Sequence, residues 1–299
     1  MWGTPTNRRQ TGIPDGLRLD GDVGRMKSSP MVVEQVNAEV AAPVLLREDV
    51  DGISTLTLNR PGSGNSLSHA LVDALDEELG RIGSDPTVRV VVLAAAGRLF
   101  CTGHDLNESI AAMEVPADKL VANRRASALM KRMRELPKPI IAKVHAIATA
   151  AGCQLVASCD LAVAASDSRF ATPGVNIGLW CFAPQVALSR AVHPRHALQM
   201  LMTGKPVDAE IAFRFGLVTE VVDPDALDMR VQELAVEIAS KSPVSLALGK
   251  KSFYQQLEMP VDEAYEYVDN LTAEAIQTED AREGISAFLD KRKPVWRGR

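Results

Sequence analysis

The sequence predicts an α/β core followed by a long helical end. Between residues 44 and 172, short apolar runs typical of buried strands alternate with segments whose apolar residues recur at helical spacing. Beyond Gln185 the pattern is almost entirely helical. The alternation favours a sheet covered by helices, and the helical end predicts a layer that packs on other subunits or on its own sheet.

The first helix of the core has the clearest periodicity, because Leu67, Leu71, Leu75 and Leu79 recur at every fourth position. The next strand, 88–95, is continuously apolar, as is typical of a strand buried on both faces. The same criteria predict the other strands at 44–47, 53–58, 139–144, 161–165 and 169–172, and the other helices at 120–136, 150–157, 187–201, 209–215, 227–240, 244–257, 262–278 and 281–291.

Composition divides the chain into three segments. Residues 1–41 are rich in Gly, Pro, Ser, Arg and Asp and lack apolar periodicity, which predicts a flexible N-terminal extension. Its arginines are compatible with a transit peptide, whereas its aspartates argue against one. No Gly-, Ser- or Pro-rich linker interrupts the remainder, so we expect a core at 42–225 and a C-terminal helical region at 226–299.

Charge, hydropathy and cysteine usage exclude several classes of protein. The net charge is -5 without a dense Lys/Arg stripe, which argues against a nucleic-acid surface. No stretch reaches the roughly 18 apolar residues of a transmembrane helix, and the first residues lack a signal-peptide core. We therefore expect a soluble protein of the cytoplasm, or of the mitochondrial matrix in a eukaryote, without a membrane partner. Its four cysteines lack C-x-x-C pairs and its five histidines lack ligand spacing, which predicts reduced thiols and no metal site.

Two tight turns, each following a buried strand, are the first sign of chemistry. Residues 97–106 (GRLFCTGHDL) form one turn and residues 148–155 (ATAAGCQL) form the other. Small residues let the backbone approach a ligand closely, and N–H groups at a helix start attract developing negative charge. Such a pair can form an oxyanion hole. Spacing alone leaves simple strand–helix packing as an equal interpretation.

Together with LNRP at 58–61 and CDLAVA at 159–164, these turns resemble the crotonase (enoyl-CoA hydratase/isomerase) family in order and spacing. The resemblance covers residues 44–296. It implies a spiral of ββα units with a C-terminal helical oligomerisation region, assembled as a homotrimer or a dimer of trimers. It also implies an acyl-CoA thioester of fatty acid metabolism as the ligand, with coenzyme A as part of the substrate and no separate cofactor.

The resemblance implies that the backbone N–H groups of His104 and Ala151 bind the thioester oxygen. Hydration and isomerisation both place negative charge on this oxygen as an enolate forms. Alanine stands at 151, where the family usually has glycine. It keeps the backbone N–H donor, but its methyl group leaves less room for a ligand to approach the backbone. Removing one such donor typically costs about 2.7 to 4 kcal/mol of barrier lowering.

Two further groups of residues are implied to contact coenzyme A. The group around the adenine end comprises Arg60, Ser63, Gly64, Asp105 and Leu106. The second group, Phe288 and Lys291, usually approaches coenzyme A and often does so on a neighbouring subunit. The alternatives are a turn without a ligand and a solvated lysine at a helix end.

The sequence departs from the family at both positions where hydratases carry glutamate, because Gln154 and Gly174 stand there. Glutamine does not titrate near neutral pH, and glycine has no side chain. Water addition needs an acid and a base, and one positioned group contributes roughly 100- to 10,000-fold. We therefore do not expect ordinary hydration, and an isomerase would also need the second carboxylate.

Two alternative functions stay open. One is a non-catalytic acyl-CoA binder, and the other is a different thioester reaction, such as hydrolysis or decarboxylation, that uses the His104 side chain or a pocket water. Trp180 and Phe182 stand where relatives have a glycine-rich turn. These aromatics either reshape the acyl pocket or pack in the core.

Overall fold

A six-stranded sheet lies at the centre of the chain in the computed structural model, which describes residues 42–111 and 116–299. In spatial order its strands are β1 (Leu45–Val50), β2 (Ile53–Leu58), β3 (Val90–Ala95), β4 (Ile140–Val144), β6 (Leu161–Ala165) and β9 (Glu220–Val222). β1 pairs antiparallel with β2, and all other neighbours are parallel. A second sheet joins β5 (Ile147–Thr149), β7 (Arg169–Ala171) and β8 (Val207–Asp208).

Helices connect and cover these strands, which confirms the predicted α/β class. They are α1 (His69–Ser84), α2 (Leu106–Ala111), α3 (Pro116–Glu135), α4 (Ala151–Ser158), α5 (Phe182–Ala191), α6 (Pro194–Thr203), α7 (Ala209–Phe215), α8 (Leu227–Ala239), α9 (Pro243–Gln256), α10 (Val261–Ala275) and α11 (Glu279–Leu289). Within the described ranges, no helix combines the length and apolarity that a membrane crossing requires. The predicted extension at 1–41 lies outside the described residues.

Strand β3, inside the main sheet, is buried on both faces, as its continuous apolar run predicts. Val91 and Leu93 point into a core that also contains the apolar face of α1. Val90 and Val92 point into a second core that is closed by α8. Burial of each such side chain contributes about 1.5 to 3 kcal/mol. Helix α8, the first helix of the C-terminal region, is therefore part of the packing of the sheet.

Helix α1 confirms the periodicity of its leucines. Ser68 caps the helix, because its hydroxyl accepts a hydrogen bond from the N–H of Leu71 at 3.2 Å. Leu71, Leu75 and Leu79 are buried on the face that packs into the core. Leu67 precedes the cap and forms a parallel bridge with His104 instead. This bridge connects the start of α1 to the first tight turn.

The single helix predicted at 187–201 is wrong. Two helices, α5 and α6, replace it, and they are separated at Val192 and His193. The cause is Pro194, which lacks an N–H and disfavours helical geometry in the residue before it. His193 has extended angles (φ -56°, ψ 137°) and caps α6 through its side chain. The short helix α2 and the short strands β5, β8 and β9 were not predicted either.

The C-terminal tail is fastened to the helical end by a buried carboxylate. Asp280, only 2% exposed, accepts hydrogen bonds from the hydroxyl of Ser242 at 2.7 Å and from the N–H groups of Arg297 at 2.6 Å and Gly298 at 3.1 Å. The indole of Trp296 donates to the carbonyl of Ser240 at 2.7 Å. These bonds hold the residues after α11 against α8 and α9.

Candidate active site

The two tight turns predicted from the sequence lie in contact. The N–H of Thr149 donates to the carbonyl of Cys101 at 2.9 Å, and the N–H groups of Phe100 and Cys101 both approach the carbonyl of Ile147 at 3.2 Å. Cys101 also forms a parallel bridge with Ala148. The turns therefore form one surface, although more than 40 residues separate them.

Two glycines allow this close contact. A Cβ on Gly152 would lie 2.3 Å from the carbonyl oxygen of Cys101, which is closer than real atoms approach. A Cβ on Gly103 would lie 2.8 Å from the Cβ of Ala150 and 3.2 Å from the nitrogen of Ala151. Gly103 also has φ +95°, which favours glycine. The backbone of the first turn thus lies directly against the start of α4.

Ala151 is the first residue of α4, and its N–H has no acceptor within the described part of the chain. The side chain of Ala151 is completely buried. The preceding residue, Ala150, has φ +53°, and its own N–H donates to the carbonyl of Ala171 at 2.9 Å. A helix start with such an N–H attracts negative charge.

His104 is held in strand-like geometry beside Ala151. Two hydrogen bonds form its bridge with Leu67. The N–H of Leu67 donates to the carbonyl of Gly103 at 2.7 Å, and the N–H of Asp105 donates to the carbonyl of Leu67 at 3.2 Å. The bridge therefore does not use the N–H of His104. The side chain of His104 is half-buried.

Gln154 lies one turn into α4 from Ala151 and is 5% exposed. Its Oε1 atom is buried and has no hydrogen-bond partner among the described residues. An unsatisfied buried acceptor of this kind costs about 1 to 3 kcal/mol. At position 154, where the sequence analysis expects a glutamate in hydratases, the surroundings therefore offer the buried Oε1 atom no hydrogen bond.

No space for a side chain is left at Gly174, the position where the sequence analysis expects the second glutamate of hydratases. A Cβ at this position would lie 2.9 Å from the carbonyl oxygen of Leu179 and 3.0 Å from Sγ of Cys181. The segment after the Pro173–Ile177 turn folds back onto the glycine, since the N–H of Leu179 donates to Gly174 at 3.0 Å. The chain itself fills the space of the missing side chain.

Trp180 and Phe182 differ in their surroundings. Trp180 packs against the main core, and its indole donates to Oε1 of Gln185 at 2.8 Å. Phe182, the first residue of α5, is 70% exposed. Core packing therefore accounts for Trp180 but not for Phe182.

The predicted adenine-end residues lie together. The guanidinium of Arg60 pairs with Asp105 at 3.0 Å and donates to the carbonyl of Ser66 at 2.5 Å. Burial opposes ionisation of Asp105, but hydrogen bonds from Arg60, Ser66 and the N–H of Asn107 together hold its pKa below the usual range. Nearby, Ser63 is exposed and Gly64 has φ +61°. Leu106 is 57% exposed at the start of α2.

Phe288 and Lys291 lie at the far end of the helical region. Phe288 is 83% exposed, and Lys291 is exposed with φ +54° just after α11. Helix α11 packs on α9. Within residues 42–111 and 116–299, no hydrogen bond or ion pair joins these two residues to Arg60 or Asp105.

A cavity of about 890 Å³ opens beside Gln154. Residues of α3, α4, α5 and α9 line it, together with the loop around Leu217. Arg134, Arg190 and Tyr254 contribute to its wall, and the sequence analysis identified none of these three. They lie on three different helices, α3, α5 and α9, and only folding brings them together, so no local pattern marks them.

Asp160 connects the start of β4 to helix α9. Its Oδ2 accepts from the N–H of Ile140 at 2.7 Å and from Nζ of Lys250 at 2.7 Å. Its Oδ1 accepts from the hydroxyl of Tyr254 at 2.9 Å. The side chains of Lys250 and Asp160 are only 7% and 15% exposed. This buried pair holds the cavity wall formed by α9 against the end of α4.

All four cysteines are buried thiols outside any disulfide. Burial raises the pKa of Cys101 and of Cys153 to about 12. Burial also raises the pKa of Cys159 and of Cys181. The prediction of reduced thiols agrees with these environments, which favour the protonated form.

The parallel sheet, the paired turns and the helical end together define a family. The sequence profile described as Enoyl-CoA hydratase/isomerase matches residues 48–299. The chain therefore belongs to the enoyl-CoA hydratase/isomerase, or crotonase, family.

Among its relatives are proteins named enoyl-CoA hydratase domain-containing protein 3, mitochondrial. The Xenopus laevis protein is 42% identical over 254 residues, which cover 85% of this chain and 86% of that protein. The human protein is 41% identical over 247 residues, covering 83% and 81%. The short-chain-enoyl-CoA hydratase of Clostridium acetobutylicum is 32% identical over 245 residues, covering 81% and 92%.

Solved structures agree with this assignment. The crystal structure of an enoyl-CoA hydratase from Mycobacterium smegmatis superposes with a TM-score of 0.82 at 46% identity, covering 85% of this chain and 99% of that chain. The structure of human enoyl-CoA hydratase domain-containing protein 3 gives a TM-score of 0.82 at 40% identity, covering 85% and 100%. The predicted crotonase fold is confirmed.

Proposed function

We propose that the protein binds an acyl-CoA thioester with the thioester oxygen at the N–H groups of Ala151 and His104. The observation that carries this proposal is the N–H of Ala151, which starts a helix, lies against the first turn and has no acceptor among the described residues. A thioester carbonyl is an acceptor whose charge grows as an enolate forms, so such a donor stabilises it.

The site does not carry out ordinary hydration in this proposal. Gln154 cannot exchange a proton near neutral pH, and Gly174 is covered by the segment from Leu179 to Cys181. The nearby thiols do not substitute for the carboxylates, because burial keeps Cys153 and Cys181 protonated. Tight acyl-CoA binding without water addition is therefore the expected activity.

Coenzyme A is placed along the first turn in this proposal, with its adenine end near Arg60, Ser63, Gly64, Asp105 and Leu106. Phe288 and Lys291 act from a neighbouring subunit of a trimer or a dimer of trimers, because they lie exposed at the end of α11. No separate cofactor is needed. The compartment in this proposal is the mitochondrial matrix if the protein comes from a eukaryote, and the cytoplasm otherwise. The relatives named mitochondrial support a mitochondrial location in a eukaryote.

The test compares an acyl-CoA thioester with the matching S-alkyl-CoA thioether, which lacks the carbonyl oxygen. Calorimetry measures both affinities for the parent protein and for Ala151→Pro, which removes the N–H. Proline is tolerated at the first position of a helix, as Pro194 and Pro243 show in this chain. Ala151→Ser keeps the N–H and is the matched control.

The parent and Ala151→Ser should prefer the thioester by about five-fold for each N–H donor, the equivalent of ~1 kcal/mol per hydrogen bond. In Ala151→Pro this preference should fall but not vanish, because the N–H of His104 remains. Its thermal midpoint should be lower, because Ala150 lacks the extended angles of the residues before Pro194 and Pro243. Equal binding by the parent would reject the thioester site. Hydration of crotonyl-CoA is measured as the loss of absorbance from its conjugated double bond. Such turnover by the parent would reject the claim that the site lacks hydration chemistry.

A second candidate function, another reaction of the thioester, rests on His104. Its backbone would border the reacting oxygen in this arrangement, and its half-buried imidazole is the kind of side chain that serves as a general acid or base. Hydrolysis or decarboxylation by this group predicts free CoA or carbon dioxide from a panel of CoA thioesters. His104→Ala should abolish that turnover and leave thioester binding unchanged, because the backbone donor remains.

A further inference from the structure

The cavity beside Gln154 shares this one residue with the helix of the proposed thioester site, and what it can hold follows from its walls. Gln154 is common to α4, whose start would bind the thioester oxygen, and to the cavity lining. The volume of about 890 Å³ lies in the range of small-molecule pockets, roughly 300 to 1,000 Å³. This inference rests on the proposed function and names the kind of acyl chain.

Part of the cavity wall is apolar. Small and apolar side chains from the four helices contribute to it, among them Met130, Ala157, Ala187, Phe253 and Leu257. Alkyl carbons gain about 25 cal/mol for each Å² removed from water on such a wall. A methylene chain therefore fits this part of the site.

Three cations also belong to the cavity wall: Lys131, Arg134 and Arg190. Arg134 donates through Nη2 to Glu258 at 3.1 Å and to the carbonyl of Tyr254 at 3.1 Å, and it lies 4.7 Å above the centre of the Tyr254 ring. These contacts fix the guanidinium. Its Nε and Nη1 groups have no acceptor among the described residues.

The guanidinium of Arg190 is also held in place, and one of its N–H groups makes no hydrogen bond among the described residues. Its Nε donates to Glu258 at 3.4 Å and its Nη1 to the carbonyl of Val186 at 3.2 Å. Neither Nη2 of Arg190 nor Nζ of Lys131 has an acceptor among the described residues. Spare N–H donors on charged groups bind carboxylates with short, strong hydrogen bonds.

The charges on the cavity wall do not balance. Glu258 is the partner of both Arg134 and Arg190. Asp160, the other acid of the wall, is neutralised from behind by Lys250 at 2.7 Å. Lys131, Arg134 and Arg190 thus face a single carboxylate, an excess of two positive charges over a partly apolar cavity.

We propose that the acyl group bound here ends in a carboxylate, so that the ligand class is the CoA monothioester of a dicarboxylic acid. The thioester lies at Ala151, the methylenes pass Gln154 along the apolar wall, and the distal carboxylate meets Lys131, Arg134 and Arg190. A plain alkyl chain of the same length would leave the spare N–H donors of these cations without a carboxylate.

The experiment compares CoA thioesters of hexanedioic and hexanoic acid, and of the corresponding eight- and ten-carbon acids. Calorimetry on the full chain gives both dissociation constants for the parent, for Lys131→Gln and for Arg190→Gln. Lys205→Gln removes the same charge at an exposed position outside the cavity lining and is the control. Size-exclusion chromatography with light scattering follows the oligomeric state.

The parent should bind the carboxylate-ended ligand on the order of ten-fold more tightly at its best chain length. The preference should fall several-fold in Lys131→Gln and Arg190→Gln but not in Lys205→Gln. It should also fall in about 0.5 M salt, which screens charges beyond a few Å.

Equal affinities for both ligands in the parent would overturn the carboxylate assignment and leave the proposed thioester site standing. Failure to bind any acyl-CoA would reject both proposals. If Lys131→Gln changes the oligomeric state and leaves the preference unchanged, a second copy of the chain fills the cavity and the assignment is also overturned.

Discussion

The thiol of Cys181 lies 3.0 Å from the point where a side chain at Gly174 would begin. The carbonyl oxygen of Leu179 is even closer to this point, at 2.9 Å. The space beside Gly174 is therefore closed by backbone as well as by a side chain. The absence of a side chain at this position is a property of the packing, and a single substitution does not reverse it.

Gly174→Ala should lower the free energy of unfolding by about 1 to 3 kcal/mol, because even a methyl group overpacks the site. Cys181→Gly in the same chain should recover part of this loss, since one of the close contacts disappears. Urea denaturation of the four-protein cycle measures the coupling. Gly249→Ala is the control, because nothing lies within 4 Å of its added methyl and it is exposed on α9. Additive effects of the two substitutions would contradict the contact.

Restoring both glutamates should fail to create an efficient hydratase. Gln154→Glu with Gly174→Glu forces the Leu179 to Cys181 segment away from position 174 and so disturbs the wall of the site. We expect little crotonyl-CoA hydration and a lower thermal midpoint. Adding Cys181→Gly should raise both. Robust hydration by the double variant alone would show that the segment moves aside at small cost.

Gln154→Glu alone should make stability depend on pH. A carboxyl group here would be buried without a partner, so its pKa in the folded protein should rise above the ordinary value. The variant should be fully stable below the ordinary Glu pKa of about 4.3 and lose stability as the pH rises toward the raised value. Thermal midpoints at acidic and alkaline pH, compared with the parent and with Gln154→Leu, measure the effect. A flat difference across pH would refute it.

Lys250→Met should destabilise the protein by about 3 to 5 kcal/mol, because it leaves the carboxylate of Asp160 buried and unpaired. Lys143→Met is the matched control. Lys143 pairs with Asp228 at 2.6 Å, but Asp228 is 84% exposed. Loss of that surface pair should cost less than about 1 kcal/mol. Chemical denaturation of both variants tests the contrast, and similar losses would argue against a structural role for the buried pair.

The C-terminal tail should loosen in acid. The hydrogen bonds from Arg292 and from the N–H of Val295 lower the pKa of Glu283 from 4.5 to about 2. A depressed pKa means that the stabilisation is present above pH 4.5 and is lost as the pH falls toward 2. Fluorescence of Trp296 reports the change, with Trp296→Phe as the reference. Glu283→Gln should show the loosened emission at neutral pH. Identical emission from the variant and the parent would contradict this link.

Local patterns determined the elements of the core. The leucines of α1 and the apolar run of β3 predicted a helix and a strand because each pattern repeats over a few residues. The two small-residue turns and the residues at 154 and 174 were also identified from the sequence. Even the break at Pro194 has a local signal, which the apolar spacing on either side concealed.

Contacts between distant residues were decided by the tertiary structure alone. The covering of Gly174, the pairing of Asp160 with Lys250, and the cations around the cavity join side chains that no periodicity connects. The sequence states which chemical groups are present and which are missing. Only folding decides which of them lie within hydrogen-bond distance and away from water, because burial and proximity depend on long-range packing.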